Sequence, residues 1–320
     1  MTWHPELDEL ARRTALAERM GSEDKVKRQH DAGRLTVRDR IDKLLDSGSF
    51  HEMGALSGSG EYEAHGRLQH VSPANCVFGH GRIAGKPVVA VGDDFIVRGG
   101  SADTSISNKP LMAEDMAAEL RLPIVRIIEG SGGGGSAKII ETTGASNLPG
   151  GTGTTRGFWR MTANMAAVPV VGLGLGSVAG LGAARLASSH CSMMTRSSAM
   201  FVAGPPVVAR LGQGLDKQQL GGADIQTRSG AVDTTMDTED EAFDCSRADE
   251  MLMSVVPRDR RKVYKMQPII DAVVDRGSFF DMGRNFGRSI IAGLARLGDH
   301  PVLLLASDPF HYSGAWWRES

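Results

Sequence analysis

Three glycine-rich turns are the features of this 320-residue sequence best suited to chemistry. They read VRGGS at residues 97–101, EGSGGGGS at 129–136 and GSVAGLG at 176–182, and each follows a segment predicted to be a strand. Glycine lets a ligand approach the backbone closely, and unpaired amides at the start of a following helix attract anions. The turns therefore predict a site for a phosphate or an oxyanion, built from backbone N–H groups.

The sequence does not support the other motifs that we considered. Residues 130–135 formally fit GxGxxG, but the acidic residue expected about 20 positions later in a dinucleotide site is missing. Residues 81–87 are too short for a P-loop, and neither GxSxG nor HExxH occurs. Glu129 and Glu141 flank the second glycine turn as a candidate acid/base pair, although a lone glutamate after a strand is expected to be solvated.

The elements that carry these turns alternate between helix and strand. Residues 3–30 predict one or two amphipathic helices, and Thr36 with Asp39 forms a capping box that starts another. Further helices are predicted at residues 109–122, 159–167 and 180–187, and strands at 74–78, 87–91, 96–98, 123–129, 168–175, 191–195 and 199–204. This alternation predicts an α/β architecture with a mostly parallel sheet.

Part of the sequence is repeated. IDKLLDSGSFHEMG at residues 41–54 returns as IDAVVDRGSFFDMG at 270–283, and residues 81–100 return at 295–314. The offset falls from 229 to 214, so the first copy carries an insertion near residues 60–72. The repeat predicts two homologous domains, the second of them truncated. The expected division is a first domain at 1–257, a linker at 258–268 and the start of a second domain at 269–320.

Composition argues against several classes of function. The net charge is −2 and aromatic residues make up 5%, so no basic or stacking surface for nucleic acid is expected. Residues 161–184 lack charge, but their proline and glycines favour a buried strand and helix over a membrane span. The three cysteines are scattered, which predicts neither disulfides nor a metal site. The N-terminus has no signal-peptide features, so we expect a cytoplasmic protein.

Several motifs, in the expected order, resemble the carboxyltransferase (beta) subunit of biotin-dependent acyl-CoA carboxylases of the propionyl-, methylcrotonyl- and acetyl-CoA type. The similar segments are GRLTVRDRIDKLLDSGSF at 33–50, DDFIVRGGS at 93–101, the strand at 123–129 plus SGG at 131–133, the run from LGSVAG to FVAGPPVV at 175–208, QLGGADIQTRSGAVD at 219–233, and residues 269–302. Departures include GSGGGG where the family commonly has DSGGAR, and Leu181 where it usually has glycine.

The resemblance implies a fold and a site. It implies crotonase-like ββα spiral domains, the first binding acyl-CoA and the second, from a neighbouring subunit, holding carboxybiotin. By position, the residues along CoA would be Gly99, Gly100, Ser101 and Lys109, with Lys109 near phosphate. The backbone donors to the thioester enolate would be Gly132, Gly133, Ala179 and Gly180. Biotin itself would act as the base, so no side-chain base and no metal are expected.

The same resemblance implies partners and leaves alternatives open. We expect a biotin carboxylase or biotin carrier partner and a hexamer, with activity of the truncated chain in doubt. One alternative is a biotin-independent decarboxylase or hydratase/isomerase of the crotonase type acting on acyl-CoA. Another is an inactive fragment or a subunit that acts only in assembly.

Overall fold

A computed structural model describes residues 3–20, 22–100, 108–130, 152–240, 257, 262–297 and 300–314. The chain divides into two compact units. The first comprises residues 1–190 and 199–215, and the second comprises residues 191–198 and 216–320. No helix within the described ranges is both long enough and apolar enough to cross a membrane.

The first unit contains most of the elements. Its helices are α1 (His4–Glu18), α2 (Glu23–Asp31), α3 (Val37–Leu44), α4 (Asn108–Leu120), α5 (Thr152–Met165), α6 (Leu181–Ala187) and α7 (Pro205–Ala209). Its strands are β1 (His51–Glu52), β2 (Gly58–Tyr62), β3 (Leu68–Pro73), β4 (Cys76–Ile83), β5 (Lys86–Asp93), β6 (Ile124–Gly130), β7 (Val170–Ala179) and β9 (Ala199–Phe201).

A mixed sheet forms the centre of the first unit. Its strands run in the order β1-β4-β5-β6-β7-β9, with antiparallel pairs from β1 to β5 and parallel pairs from β5 to β9. Strands β2 and β3 form a separate antiparallel pair within the region predicted to be an insertion. Parallel strands direct their carboxyl ends to one edge of the sheet, so the turns after β5, β6 and β7 lie on the same side.

Local sequence explains why these elements form. Thr36 and Asp39 make the predicted capping box at the start of α3. Strand β6 is buried along its whole length, as its run of branched residues predicts for a strand covered on both faces. The core beneath α4 joins buried side chains from four strands and this helix: Cys76, Phe78, Val89, Val91, Ala113, Ala117, Ile124, Val168 and Val170.

The second unit contains the second copy of the repeat. Its helices are α8 (Lys217–Gly221), α9 (Ala223–Arg228) and α10 (Gln267–Val273). Its strands are β8 (Cys191–Thr195), β10 (Thr234–Met236), β11 (Phe280–Met282), β12 (Ile290–Leu297) and β13 (His300–Ser307). Strands β8 and β10 pair in parallel, whereas β11, β12 and β13 form an antiparallel sheet. A small core of Ile270, Val274, Ile291 and Ala295 packs α10 against that sheet.

The α/β prediction is confirmed, but one predicted strand is wrong. Residues 96–98 form no strand, because the chain turns away from the sheet as soon as β5 ends at Asp93. Asp94 starts this turn by accepting the Ile96 N–H at 2.9 Å. A side chain that bonds its own backbone two residues on favours a turn over a strand, whatever the β-branched composition.

Candidate active site

The end of β6 is where the segments that carried the family resemblance meet. Glu129, next to the last residue of β6, is fully buried. Helix α3 brings Arg40 to it, with Arg40 Nη1 2.6 Å from Glu129 Oε2. Gly100 lies against the backbone of Glu129 and Gly130, and Gly176 of β7 lies against the Glu129 carboxylate. Four segments far apart in the sequence therefore meet at Glu129, where Arg40 and Gly176 lie at its side chain and Gly100 lies at its backbone.

The burial of Glu129 overturns the expectation that it is solvated. Both Glu129 and Arg40 are almost completely withdrawn from water, and Arg34 Nη1 lies 3.6 Å from the other carboxylate oxygen. A buried carboxylate requires a partner, because desolvation of an isolated charge is very costly. Sequence reasoning missed the pair because its members are 89 residues apart.

The two glycines that touch Glu129 have no alternative residue that fits. Gly100 has φ +62°, and a Cβ there would overlap the carbonyl oxygen of Glu129 and lie 2.8 Å from Gly130 Cα. Gly176 has φ +109°, and a Cβ there would overlap Oε1 of Glu129. Left-handed backbone and close approach both require glycine. The glycine turns thus serve to pack backbone against the buried acid.

The predicted donors Ala179 and Gly180 lie at the end of β7. Ala179 is the last residue of the strand and pairs with Phe201 of β9. Gly180, with φ +56°, connects the strand to α6, and its N–H donates to the Phe201 carbonyl at 3.1 Å. This amide must share or exchange that bond to reach a ligand. The other two predicted donors, Gly132 and Gly133, lie outside the described residues.

The predicted CoA residues Gly99 and Gly100 form a left-handed turn just beyond β5. Three successive residues have positive φ, 56° at Arg98, 63° at Gly99 and 62° at Gly100. Such a backbone is strained at Arg98, and strain of this kind often accompanies functional sites. Ser101, the next predicted contact, lies outside the described residues.

Lys109, the predicted phosphate contact, is buried in the first turn of α4. Its Nζ lies 3.5 Å from Oε1 of Glu52 and 6.0 Å from the centre of the Phe78 ring. Arg38 Nη1 occupies the other oxygen of Glu52 at 2.8 Å. In this structure the lysine therefore belongs to an internal charge cluster, and its contact with CoA stays a prediction.

A cavity lies beside this charge cluster. Its empty volume is about 240 Å³, part of it open to solvent. The lining comprises Ala17, Met20, Arg38, Glu52, Ala55, Ser57, Pro73, Ala74, Cys76, Val77, Asp94 and Lys109. Burial raises the pKa of Asp94 to about 6. Within the described ranges, no group of three or more His, Cys, Asp and Glu side chains is placed to hold a metal ion.

A second buried ion pair escaped sequence reasoning as well. Arg126 of β6 donates from Nε and Nη2 to Glu114 of α4, at 2.8 and 2.9 Å. Its Nη1 donates to the carbonyls of Arg185 and Ser188, at 3.2 and 2.6 Å. These carbonyls end α6, so Arg126 anchors the helix that follows the predicted donors. The sequence signal for this ion pair was an arginine within an otherwise apolar strand.

The hairpin, helix and parallel strands, with glycine turns at the strand ends, define a crotonase-like carboxyltransferase fold. One similar solved structure is transcarboxylase 12S with methylmalonyl-CoA and methylmalonic acid bound, at TM-score 0.78 and 25% identity over 98% of this chain and 65% of that one. Another is a single-chain, multi-domain long-chain acyl-CoA carboxylase, at TM-score 0.80 and 26% identity over 97% of this chain and 33% of that one. The predicted crotonase-like fold is confirmed.

A sequence profile described as the carboxyl transferase domain matches residues 28–248 and 243–320. The chain therefore belongs to the carboxyl transferase domain family. It is 30% identical to the carboxyltransferase subunit of propionyl-CoA carboxylase from Haloferax mediterranei, over 97% of this chain and 64% of that relative. It is 28% identical to the 12S subunit of methylmalonyl-CoA carboxyltransferase from Propionibacterium freudenreichii, over 98% and 63%. The chain thus spans less than two thirds of these relatives.

Proposed function

We propose that this chain carries the acyl-CoA side of a carboxyl transfer from carboxybiotin to the α-carbon of an acyl-CoA. The observation that carries the proposal is the meeting of the motif segments at Glu129. Because β5, β6 and β7 are parallel, the predicted CoA turn after β5 and the predicted donors after β7 lie at the same edge of one sheet.

The chemistry asked of the chain's own residues is electrostatic. Removing a proton from the α-carbon of a thioester places negative charge on its oxygen. Backbone N–H groups directed at that oxygen stabilise the charge, at about 3 kcal/mol per donor in favourable cases. Carboxybiotin, carried by a partner, would supply the carboxyl group. The chain would bind the acyl-CoA, orient its α-carbon and hold the enolate.

The names of the relatives support the finer parts of the proposal. The transcarboxylase 12S structure is described as a hexamer with substrate bound, and we propose a homo-oligomer with a biotin carrier or biotin carboxylase partner here. A cytoplasmic location belongs to the same proposal. We also propose the division into a domain at 1–257, a linker at 258–268 and a second domain from 269; the two separate profile matches, at 28–248 and 243–320, support two copies of the domain.

Ligand-induced stabilisation tests the proposal. Propionyl-CoA, acetyl-CoA and methylcrotonyl-CoA are each added to the protein, and free biotin serves as the control. A ligand that binds the folded state at 100 times its Kd is expected to raise the Tm by about 5 °C. Biotin alone is expected to have no effect. The absence of a shift with every acyl-CoA would contradict the proposal.

Product analysis separates the biotin-independent alternative. Methylmalonyl-CoA is incubated with the protein, with and without free biotin, and the CoA products are followed by mass spectrometry. The proposed function predicts loss of the carboxyl group only when biotin is present. Propionyl-CoA formed at the same rate without biotin would identify a decarboxylase instead.

A further inference from the structure

Glu129 occupies an opening between β6 and β7. The two strands pair from Ile124–Val170 to Ile128–Gly174, and the next pair is Gly130–Val178. Only Glu129 lies between the paired positions on β6, whereas residues 175–177 lie between them on β7. Extra residues of this kind form a bulge, which bends a strand and redirects its end. The acid stands opposite the bulge.

The side chain of Glu129 lies against this bulge. Gly176, the middle of the three residues that face Glu129 on β7, has φ +109°, and the Glu129 carboxylate takes the space of any side chain there. The strand resumes pairing at Val178 and ends at Ala179, with Gly180 next. The backbone of β7 therefore packs on the Glu129 carboxylate just before it reaches the predicted donors Ala179 and Gly180.

The burial of Glu129 distinguishes positioning from proton transfer. Its side chain is 0% exposed and accepts from Arg40 Nη1 at 2.6 Å. A general base must come within hydrogen-bond reach of the proton that it removes. An acid held between Arg40 and Gly176 can instead act on the reaction through the backbone that it supports.

Charge is a costly way to fill such a space. A buried ion pair is often no more stabilising than apolar side chains of similar volume, and breaking it on one side is strongly unfavourable. Unlike apolar side chains, the ion pair connects the first motif, through Arg40, to the third and fourth, through Glu129 and Gly176. Hydrogen-bond geometry sets the direction and length of the Arg40–Glu129 contact.

We propose that Glu129, held by Arg40, is a positioning residue that sets the path of the end of β7 and so places Ala179 and Gly180 for the reaction. This inference rests on the proposed function for its kinetic consequence, but its structural consequence is independent of it. The pair governs the rate of the chemical step, whereas acyl-CoA affinity depends on the turn after β5.

The test removes both charges together, because E129Q alone leaves Arg40 buried without its partner. In the R40M/E129Q variant, kcat for carboxyl transfer is expected to fall about 100-fold, as for a displacement of about 1 Å at a reacting centre. The KM for acyl-CoA is expected to stay within about threefold. E129D, which keeps the charge but shortens the side chain, is expected to recover part of the loss.

V89A is the control for lost stability. Val89 is fully buried in the core beneath α4 and pairs with Ile124 at the start of β6, away from the bulge. The control is expected to lower the Tm while kcat stays within about threefold of wild type. Equal losses of kcat in R40M/E129Q and V89A would overturn the inference, because stability alone would then explain both.

Hydrogen exchange gives a readout that does not depend on activity. Peptides that cover residues 174–180 are expected to exchange at least about fivefold faster in R40M/E129Q than in wild type, and at an unchanged rate in V89A. Unchanged exchange in R40M/E129Q would overturn the inference whatever the activity. A wild-type protein that neither binds acyl-CoA nor transfers a carboxyl group would refute the proposed function alone.

Discussion

The two copies of the repeat have the same local structure but different surroundings. In each, a helix precedes a short strand and an antiparallel hairpin: α3, β1 and β4–β5 in the first copy, and α10, β11 and β12–β13 in the second. Even single bonds match. Asp46 N donates to Arg82 O at 2.8 Å, and Asp275 N donates to Arg296 O at 2.8 Å.

The copies differ in what covers the hairpin. In the first, β6 pairs with β5 and α4 packs on it, so Val89 and Val91 are 0% exposed. The equivalent Leu303 and Leu305 of the second copy are 74% and 57% exposed. Near-identical local bonding thus produces a covered strand in one copy and an open strand in the other. Only in the first copy, among the described residues, does the turn after the hairpin pack against a further parallel strand, with Gly100 against Glu129 and Gly130 of β6.

The equivalent of Arg40 shows how the sequence follows this difference. Residue 269 of the second copy aligns with Arg40 and is isoleucine. A buried arginine is retained only where a carboxylate meets it, since an unpaired charge would be expelled from the interior. Arg40 therefore occurs in the first copy, which contains Glu129. Ile269 occurs in the second copy, whose described residues include no equivalent of Glu129.

The largest expected effect comes from breaking that pair on one side. R40M leaves the buried Glu129 without its closest partner and is expected to lower the free energy of unfolding by about 3–5 kcal/mol. I269M, the matched change in the second copy, is expected to cost less than about 1.5 kcal/mol. Urea denaturation followed by circular dichroism measures both. Similar losses would mean that the two positions are equivalent after all.

The next effect concerns the glycine that ends each turn. G100A adds a methyl group that overlaps Glu129 and also strains a left-handed residue, for an expected loss of about 3 kcal/mol. Gly314 has φ +73° but its nearest neighbour, Ser307 Cβ, would be 3.2 Å from the added atom. G314A is therefore expected to cost about 1–2 kcal/mol. Thermal melts of the two variants compare the losses, which become equal if contact with Glu129 is unimportant.

A pH-dependent effect is expected from Asp94, which starts the turn in the first copy. Burial raises its pKa to about 6, so between about pH 4 and pH 6 the folded protein binds more protons than the unfolded chain. Its contribution to stability therefore falls as pH rises through that range and is level above it. The free energy of unfolding of D94N minus that of wild type is expected to increase by about 2 kcal/mol from pH 4 to pH 7. Unfolding free energies that differ by the same amount at both pH values would contradict this assignment.

The smallest effect tests the covered and open strands directly. V89A removes two buried methyl groups and is expected to cost about 2 kcal/mol. L303A, at the equivalent exposed position, is expected to change stability by less than about 0.5 kcal/mol. Both values come from urea denaturation. A loss at Leu303 as large as that at Val89 would show that this face of β13 is covered in solution.

Sequence reasoning succeeded where the signal is local or repeated. The capping box at Thr36 and Asp39 is confirmed, because its residues are neighbours on one helical turn. The two copies, and the insertion within the first of them, were visible from the change of offset, and β2 and β3 overlap the insertion. The prediction of a strand at residues 96–98 was wrong, because the Asp94 side chain accepts a hydrogen bond from the Ile96 N–H and forms a turn. Composition alone does not report such a bond.

The predicted site residues stay predictions. The glycine turns after β5 and β7 do lie at one edge of the sheet, as parallel strands require. The roles given to Gly99, Gly100, Lys109, Ala179 and Gly180 stay predictions, and Ser101, Gly132 and Gly133 lie outside the described residues. Burial of Lys109 against Glu52 was not foreseeable, since neither residue predicts the other from position.

The sequence by itself determined the class of fold, the repeat and the family, because these depend on periodicity, turn chemistry and motif order along the chain. Only the tertiary structure decided what the glycines are for. Gly100 and Gly176 look alike in sequence, yet in the folded chain Gly100 packs against the backbone of Glu129 and Gly176 packs against its carboxylate. The physical reason is distance: Arg40 and Glu129 become one buried pair only when the sheet brings helix α3 to the end of β6.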